Sequence, residues 1–265
     1  MRSRVVGIAA LLGVLLLTGC TPAARGGDSL DPNGEDSGPG IEQTGATGEV
    51  TVFAAASLRT AFDEIAESFE QQHPAVTVNP IVYDGSSTLV TQLIEGAQAD
   101  VLATADERSM QSLVDSGLAA GPQPFATNTL VVAVPAGNPG DVETLADLAD
   151  VVTVLCAPQV PCGAATATLL ETADVRVSAA SLEQNVTAVL RKVAAGEADA
   201  GIVYATDAVG DDAVQSFAPD GADQVVNRYP IVTLEDTGEA AALFTTFVRG
   251  PEGQRILQRL GFGTP

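Results

Sequence analysis

The sequence is poor in the residues that most enzymes use for catalysis or for holding metals. Its 265 residues include one histidine, no tryptophan and three cysteines. His73 precedes Pro74 at a predicted helix end, and the sequence has no Gly-x-Ser-x-Gly, P-loop or His-Glu-x-x-His motif. A pair of catalytic carboxylates is not excluded among so many acids, but no pattern indicates one. We therefore predict that the protein is not an enzyme and has no site for a metal cation.

Basic residues are also scarce, with 12 Lys and Arg against 34 Asp and Glu, and the formal net charge is −22. So acidic a surface repels nucleic acids and anionic lipid head groups, and both are excluded as partners. Net charge reports solubility and steering, however, and does not define what a pocket binds. At physiological salt, charge interactions are screened over about 8 Å, so the surface charge has little effect on an ion inside a pocket.

The first 20 residues have the pattern of a signal peptide. Arg2 and Arg4 precede an apolar run over residues 5–17 that is too short to span a bilayer comfortably. The segment Leu17–Cys20 resembles the lipobox of bacterial lipoproteins, which implies that Cys20 carries lipid and anchors the protein to the membrane outside the cytoplasm. A plain secretory signal with an incidental cysteine is the alternative.

Residues 21–48 are rich in Gly, Pro, Ser, Asp and Thr, with few bulky apolar side chains. Such a segment cannot bury enough apolar surface to offset its chain entropy. We predict a flexible tether between the lipid anchor and a folded body that begins near Glu49. The body is long enough for a sizeable core or for two modest domains.

Strand and helix patterns alternate along the body. β-Branched and apolar runs predict strands at 50–53, 76–82, 100–105, 130–134, 151–155, 200–204 and 231–234. Apolar residues at helical spacing predict helices at 58–72, 87–95, 107–115, 163–171, 186–195, 239–249 and 252–260. The alternation predicts an α/β fold with largely parallel sheets and helices on both faces, in which ligands bind beyond the carboxyl ends of the strands.

Two of the strand-to-helix turns carry hydroxyl groups. After the strand 50–53, three alanines lead to Ser57, where a helix is predicted to begin. Ser57 is expected either to cap that helix or to help bind an anion, because the N–H groups and the dipole at a helix start both attract negative charge. The second turn, at 83–89, places Ser86 between a strand and a helix in the same way. Two such turns are hard to explain by capping alone.

Cys156 and Cys162 are the cysteines that remain in the body once Cys20 is assigned to lipidation. Outside the cytoplasm, two cysteines at this spacing most simply form a disulfide that closes the short loop between them. Two free thiols are the alternative. A metal site is disfavoured because His73 is the only histidine and no further cysteine is available.

Five segments of the body, taken together, resemble the periplasmic molybdate-binding proteins of ABC transporters. They are FAAASL at 53–58, SSTL at 86–89, ADVLATAD at 99–106, NTLVV at 128–132 and GIVYATDA at 201–208. Each is weak alone, but their order and spacing from Val50 to about Phe262 are specific. The resemblance implies a bilobed type II periplasmic-binding-protein fold, with two mixed-sheet α/β lobes joined by crossing hinge strands. It assigns 49–127 and 229–265 to lobe I and 128–228 to lobe II.

The resemblance also implies a site between the lobes where a tetrahedral oxyanion is held by hydroxyl and backbone N–H groups, without cationic side chains. Carried over to this chain, Ser57, Ser86 and Tyr204 supply hydroxyls, and Cys162 and Val186 supply backbone N–H groups. The implied ligand is molybdate or tungstate, with no cofactor. A monomeric, lipid-anchored protein would deliver it to an ABC permease.

Two alternatives to this function remain open. Sulfate, like molybdate and tungstate, carries no proton at neutral pH, and it suits the same set of donors. Another tetrahedral oxyanion is therefore the main alternative ligand. An extracellular enzyme on the same scaffold is the more remote alternative, because a fold alone does not decide function.

Two positions depart from the family pattern. Cys162 takes the place of alanine in a Pro-Ala-Gly turn, which leaves the backbone donor intact. Asp84 directly precedes the turn at Gly85 and Ser86, and a carboxylate that faced the ligand would repel it. We therefore expect Asp84 to point to solvent.

Overall fold

The computed structural model describes residues 46–265. The predicted signal peptide, the predicted lipidation site at Cys20 and almost all of the predicted tether lie outside the described residues. Within 46–265, no helix has both the length and the apolar character needed to cross a membrane.

Strands and helices alternate along the described chain, which confirms the predicted α/β class. The strands are β1 (Gly48–Val50), β2 (Val52–Ala55), β3 (Val76–Val78), β4 (Val82–Asp84), β5 (Val101–Ala103), β6 (Gln123–Asn128), β7 (Leu130–Pro135), β8 (Thr153–Cys156), β9 (Ser181–Glu183), β10 (Ala200–Tyr204), β11 (Val214–Phe217) and β12 (Asn227–Thr233). The helices are α1 (Arg59–Gln72), α2 (Ser86–Ile94), α3 (Glu107–Asp115), α4 (Pro161–Thr172), α5 (Val186–Ala194), α6 (Ala205–Ala208), α7 (Glu239–Arg249) and α8 (Pro251–Arg259).

Two five-stranded sheets form the framework of the described chain. The first sheet has the order β4-β2-β5-β12-β6 and the second has the order β11-β7-β10-β8-β9. The strands β4, β2 and β5 run parallel, as do β10, β8 and β9, and the remaining pairings in both sheets are antiparallel. The sheets are therefore mixed, as the resemblance implied. They are not largely parallel, as the alternation of strands and helices alone predicted.

The chain passes between the two sheets at adjacent places. The strand β6 of the first sheet ends at Asn128, and β7 of the second sheet begins at Leu130. The return runs from β11 to β12, which begins at Asn227. Asn227 and Asn128 are partners in the ladder between β12 and β6. One crossing segment thus begins, and the other ends, at a pair of neighbouring residues.

Some strand bounds differ from the sequence predictions. The predicted strand 76–82 is two short strands, because the Asn79–Pro80 pair interrupts it and Asn79 donates its N–H to the carbonyl of Val50. The predicted strand 50–53 is divided at Thr51, whose N–H donates to the Asp100 carboxylate over 2.7 Å. The strand β6 was missed because it contains Pro124, which is unfavourable inside a sheet.

Phenylalanine side chains join α1 and α7 to the first sheet. The ring of Phe62 lies 5.8 Å from that of Phe125 and 6.3 Å from that of Phe244, and Phe69 lies 5.2 Å from Phe244. All four are buried, and each contributes about 1.5–3 kcal/mol through removal from water. This packing holds α1 in place directly after the turn that contains Ser57.

Cys156 and Cys162 form a disulfide, as predicted. Cys156 is the last residue of β8 and Cys162 lies in the first turn of α4. Both are buried. The bond therefore closes the loop at 157–161 and attaches the start of α4 to the end of a central strand.

Reduction of this disulfide is expected to lower the free energy of unfolding by about 2 kcal/mol, because the unfolded chain regains the entropy that the closed loop removes. Denaturant unfolding with and without dithiothreitol measures the difference. The double variant Cys156→Ala/Cys162→Ala is the control, and its unfolding should not respond to dithiothreitol. Equal unfolding midpoints for the oxidised and fully reduced native chain would contradict the prediction.

Candidate oxyanion-binding site

A narrow cavity of about 10 Å³ lies at the carboxyl ends of strands from both sheets. Its walls are formed by residues at or just after the ends of β2, β4, β5, β8 and β10 and at the start of α5. They are Ala55, Ala56, Ser57, Asp84, Gly85, Ser86, Ala105, Val160, Pro161, Cys162, Asn185, Val186 and Tyr204. This is the place where α/β sheets bind ligands, because helices begin there and their N–H groups have no intrahelical partner.

The cavity brings together the five residues that the resemblance assigned to the oxyanion. Ser57 and Ser86 come from the first sheet's side, and Cys162, Val186 and Tyr204 from the second sheet's side. The exposed fractions of these residues are 9% for Ser57, 0% for Ser86, 3% for Cys162 and Val186, and 1% for Tyr204. They lie far apart in the sequence, and the two sheets bring them together.

Three long helices start at the cavity wall. The first residues of α2, α4 and α5 are Ser86, Pro161 and Val186. No side chain caps α2 or α4, and the Asn185 side chain that caps α5 accepts from the N–H of Ala188. Apart from the N–H of Ala188, which is capped, and Pro161, which has no N–H, the first-turn N–H groups have no capping side chain, and the helix dipoles add positive potential. Such helix starts favour an anion in the cavity.

Ser57 does not cap a helix, so that alternative is wrong. It lies in the middle of a 3₁₀ turn, Ala56–Leu58, that precedes α1, and no side chain caps either the turn or the helix. Its hydroxyl is instead 3.0 Å from the hydroxyl of Tyr229 on β12. The residues directly before Ser57 are alanines, whose small side chains leave the backbone close to the cavity.

The other two hydroxyls each accept a hydrogen bond from behind the cavity. The backbone N–H of Ala105 donates to the Ser86 hydroxyl over 2.9 Å. The side-chain amide of Asn227 donates to the Tyr204 hydroxyl over 3.0 Å. These bonds hold both hydroxyl oxygens at the cavity wall.

The expectation that Asp84 points to solvent is wrong. Asp84 lines the cavity, and its Oδ1 accepts from the N–H of Gly85 over 2.7 Å and from the amide of Asn185 over 2.8 Å. Asn185 belongs to the second sheet's side, so this bond crosses the cavity. Two donors, one from each side of the cavity, thus hold Oδ1 of this carboxylate.

The cavity has no basic side chain among its described lining residues. Burial raises the pKa of Tyr204 well above 10, and the neighbouring Tyr229, Asp106 and Asp207 raise it further. Burial likewise raises the pKa of Tyr229. Both phenols therefore keep their protons at neutral pH and can serve as donors.

Asp207 lies behind Tyr204, and its carboxylate accepts from the Tyr204 backbone N–H over 3.1 Å. Desolvation raises the pKa of Asp207 to about 7, although this hydrogen bond lowers it. The carboxyl thus keeps its proton to a higher pH than an exposed aspartate, which reduces the negative charge next to the site.

Sequence patterns did not reveal Asn185, Asn227, Tyr229 and Ala105 as parts of the site. Asn185 has a detectable signal, since it directly precedes a predicted helix and Asn is a preferred cap. The contact of Ser57 with Tyr229 joins residues 172 positions apart, and the contact of Asn227 with Ala105 joins residues 122 positions apart. No local pattern encodes contacts of that range.

A larger groove of about 490 Å³ lies on the second sheet's side of the molecule. Glu143 and Asp220 lie in its wall together with Leu145 and Phe217. Its carboxylates repel an anion, and it is therefore a poor oxyanion site. Among residues 46–265 there is also no group of three or more His, Cys, Asp or Glu side chains arranged to hold a metal ion.

Comparison with known proteins agrees with this geometry. The family model for bacterial extracellular solute-binding proteins matches residues 50–263. The molybdate-binding protein ModA of Mycobacterium tuberculosis (strain ATCC 25618 / H37Rv) is 39% identical over 262 residues, which cover 96% of this chain and 97% of that protein. Among solved structures, the periplasmic molybdate-binding protein of Azotobacter vinelandii has a TM-score of 0.65 and 22% identity, covering 82% of this chain and 99% of that one.

A second solved structure, the sulfate-binding protein SubI of Mycobacterium tuberculosis H37Rv, has a TM-score of 0.65 and 18% identity and covers 82% of this chain and 86% of that one. These structural neighbours confirm the predicted bilobed periplasmic-binding-protein fold. With its family match over most of its length and a relative of 39% identity, the chain belongs to the bacterial extracellular solute-binding proteins.

Proposed function

We propose that this protein binds molybdate, and also tungstate, outside the cytoplasm and delivers the ion to an ABC permease. The relative with 39% identity is named a molybdate-binding protein, and the family is extracellular. Tungstate is included because its size and charge are nearly equal to those of molybdate. The proposed ligands of the oxyanion are the hydroxyls of Ser57, Ser86 and Tyr204 and the backbone N–H groups of Cys162 and Val186.

The observation that carries the proposal is a buried cavity in which hydroxyls and helix starts converge, with no basic side chain among the lining residues that the structure describes. A buried dianion without partners would cost tens of kcal/mol, so it must be fully hydrogen-bonded. Each charge-assisted hydrogen bond contributes about 1.5–3 kcal/mol. Several such bonds together are sufficient for a dissociation constant of roughly 1 μM or lower.

The two sheets are proposed to be the cores of lobes that close around the ion, with lobe I at 49–127 and 229–265 and lobe II at 128–228. Contacts across the cavity support closure. Asp84 accepts from Asn185 over 2.8 Å, and the Arg108 guanidinium donates to the Gln159 carbonyl over 3.1 Å. Ligand binding shifts such a protein toward its closed form, which a permease then recognises.

The remaining features of the proposal follow from the sequence. Cys20 carries the lipid anchor, residues 21–48 connect it to the body, and the protein acts as a monomer. It is a carrier and not an enzyme, and it uses no cofactor. Among the described residues that line the cavity, Asp84 is the one carboxylate, so the cavity lacks the acid pair that a glycosidase requires.

Sulfate is the second candidate ligand. The fold is shared with a sulfate-binding protein, and a site made of hydrogen-bond donors suits any unprotonated tetrahedral dianion. The two candidates differ in size, sulfate being the smaller ion, and their relative affinities decide between them.

Calorimetry of residues 46–265 with molybdate, tungstate, sulfate and phosphate tests the function. We expect molybdate and tungstate to bind with a dissociation constant of roughly 1 μM or lower. Sulfate should bind more weakly and phosphate should not bind at the same concentrations. Absence of binding heat with both molybdate and tungstate would overturn the proposal, and preferential binding of sulfate would replace it with the second candidate.

A further inference from the structure

Two helices supply the proposed backbone donors of the cavity, and their first turns are held in different ways. The Asn185 side chain caps α5 by accepting from the N–H of Ala188, which leaves the N–H of Val186 out of that bond. No side chain caps α4. Such a cap would accept from the second or third N–H group of the helix, and the second residue of α4 is Cys162. A side-chain cap on α4 would therefore compete with the ion for a proposed donor.

A disulfide anchors the start of α4 instead. It joins Cys162 to Cys156, the last residue of β8, and both cysteines are buried, at 3% exposed. In the second sheet β8 lies between β10 and β9, so the anchor is a strand that is paired on both edges. The bond connects side chains only. It consequently fixes the first turn of α4 without engaging the N–H of Cys162.

The first turn of α4 also packs closely against the loop that the disulfide closes. A Cβ atom at Gly163 would lie 1.9 Å from the carbonyl oxygen of Ala157, so only glycine fits at this contact. The N–H of Ala157 in turn donates to the carbonyl of Glu183 on β9 over 2.8 Å. The first residue of the loop is thus tied to the sheet, and the first turn of α4 lies against it. Movement at either end of the loop would displace the N–H of Cys162.

The same loop contacts the first sheet's side of the cavity. The carbonyl of Gln159 accepts from the guanidinium of Arg108, on α3, over 3.1 Å. The Gln159 side-chain amide donates to the Gln184 side-chain carbonyl over 3.2 Å. Val160 and Pro161, at the end of the loop, line the cavity. The disulfide therefore closes a loop that forms part of the cavity wall and also bonds to both sides of the cavity.

We propose that Cys156 is a positioning residue of the oxyanion site, which acts through its disulfide to hold the N–H of Cys162 at the cavity. The inference rests on the proposed function, in which that N–H binds the ion. Without the bond, the loop and the uncapped first turn of α4 gain conformations in which the donor is displaced. Ion binding must then restore the order that the disulfide otherwise provides, and this cost lowers the affinity.

The double variant Cys156→Ala/Cys162→Ala tests the inference, because it removes the bond and keeps the backbone N–H at both positions. Titration calorimetry with molybdate is expected to show an affinity about tenfold lower than that of the oxidised native protein. The measurement is made at a temperature at which circular dichroism and denaturant titration show both proteins to be fully folded. Under that condition a loss of stability alone leaves the affinity unchanged, because almost no molecules are unfolded.

Leu169→Ala is the matched control for destabilisation. Leu169 is 1% exposed, lies on α4 beyond its first turn, and is not part of the cavity wall. Truncation of such a buried side chain destabilises the fold but leaves the disulfide in place. The affinity of this variant for molybdate should equal that of the native protein.

A second disulfide-free variant keeps the test decisive if Cys156→Ala/Cys162→Ala does not fold. In Cys156→Val/Cys162→Ala, valine refills the space of the cysteine on β8 with a side chain that favours strands. The same loss of affinity, about tenfold, is expected.

The outcomes distinguish the inference from the function on which it rests. If the oxidised native protein binds neither molybdate nor tungstate, the proposed function fails. If the native protein binds molybdate and the disulfide-free variant binds it with equal affinity, the disulfide only stabilises the fold and the inference is overturned. An equal loss of affinity in Leu169→Ala overturns it as well, because the effect would then follow stability and not the position of the Cys162 N–H.

Discussion

Replacing Gly85 with alanine is expected to weaken molybdate binding by about 100-fold, because the added methyl group blocks the approach of the two sides of the cavity. A Cβ atom at Gly85 would lie 2.2 Å from the carbonyl oxygen of Gln184 and 3.3 Å from Val160. Gly85 follows β4 of the first sheet, whereas Gln184 and Val160 lie between elements of the second. The Gln184 carbonyl belongs to the backbone and cannot move aside without a large energetic cost, so the two sides of the cavity must separate.

The backbone at Gly85 makes this substitution a clean test. Its φ of −60° and ψ of 135° are ordinary for alanine, so the effect comes from the contact and not from backbone strain. Gly238→Ala is the matched control, because φ there is −78° and nothing lies within 4 Å of the added Cβ. Calorimetry with molybdate should show native affinity for the control. Native affinity for Gly85→Ala would mean that closure at this point is not needed for binding.

Ser86→Ala is expected to weaken molybdate binding by about 10- to 100-fold, the equivalent of one charge-assisted hydrogen bond. Ser86 is fully buried, and it is held at the cavity by the N–H of Ala105. The substitution removes a donor to the anion and leaves that N–H without its partner. The free energy of unfolding should also fall, by about 1–3 kcal/mol, without preventing folding.

The neighbouring Ser87 supplies the control for Ser86. It lies on the same helix but outside the cavity wall. Ser87→Ala should retain native affinity and stability. Titration calorimetry and denaturant unfolding of both variants measure the two effects separately. If Ser86→Ala lost stability but kept its affinity for molybdate, Ser86 would support the fold and would not be a ligand.

The α/β class and the positions of most elements were predictable because they depend on short-range patterns. Val186–Ala194 and Ala200–Tyr204, for example, show clear helical and strand patterns over consecutive residues. The mixed character of the sheets was not predictable from periodicity, because antiparallel strands such as β6 and β12 have the same local pattern as parallel ones. The resemblance supplied that information, since it compares whole chains and not local periodicity.

The residues that line the site were predictable from the sequence, but their hydrogen-bond partners further from the cavity were not. The turns at Ser57 and Ser86 show hydroxyls at helix starts, which is a local chemical signal. The hydrogen-bond partners of those hydroxyls are Tyr229 and Ala105, which neither turn specifies. Asp84 was misjudged for the same reason, because its partner Asn185 is 101 residues away and belongs to the other side of the cavity. Hydrogen-bond partners that are distant in the sequence decide where such a side chain points, and local sequence patterns do not reveal them.

Among residues 46–265, no basic side chain lines the cavity, and this bears on how the proposed carrier releases its ion. A site that depended on a lysine or histidine would release its anion if that side chain lost its proton. Here the proposed donors are hydroxyls and backbone N–H groups divided between two sheets, with Ser57 and Ser86 on one side and Cys162, Val186 and Tyr204 on the other. For a carrier with these proposed donors, we expect release when a partner draws the two sides apart and so divides the donors, and not when the pH changes.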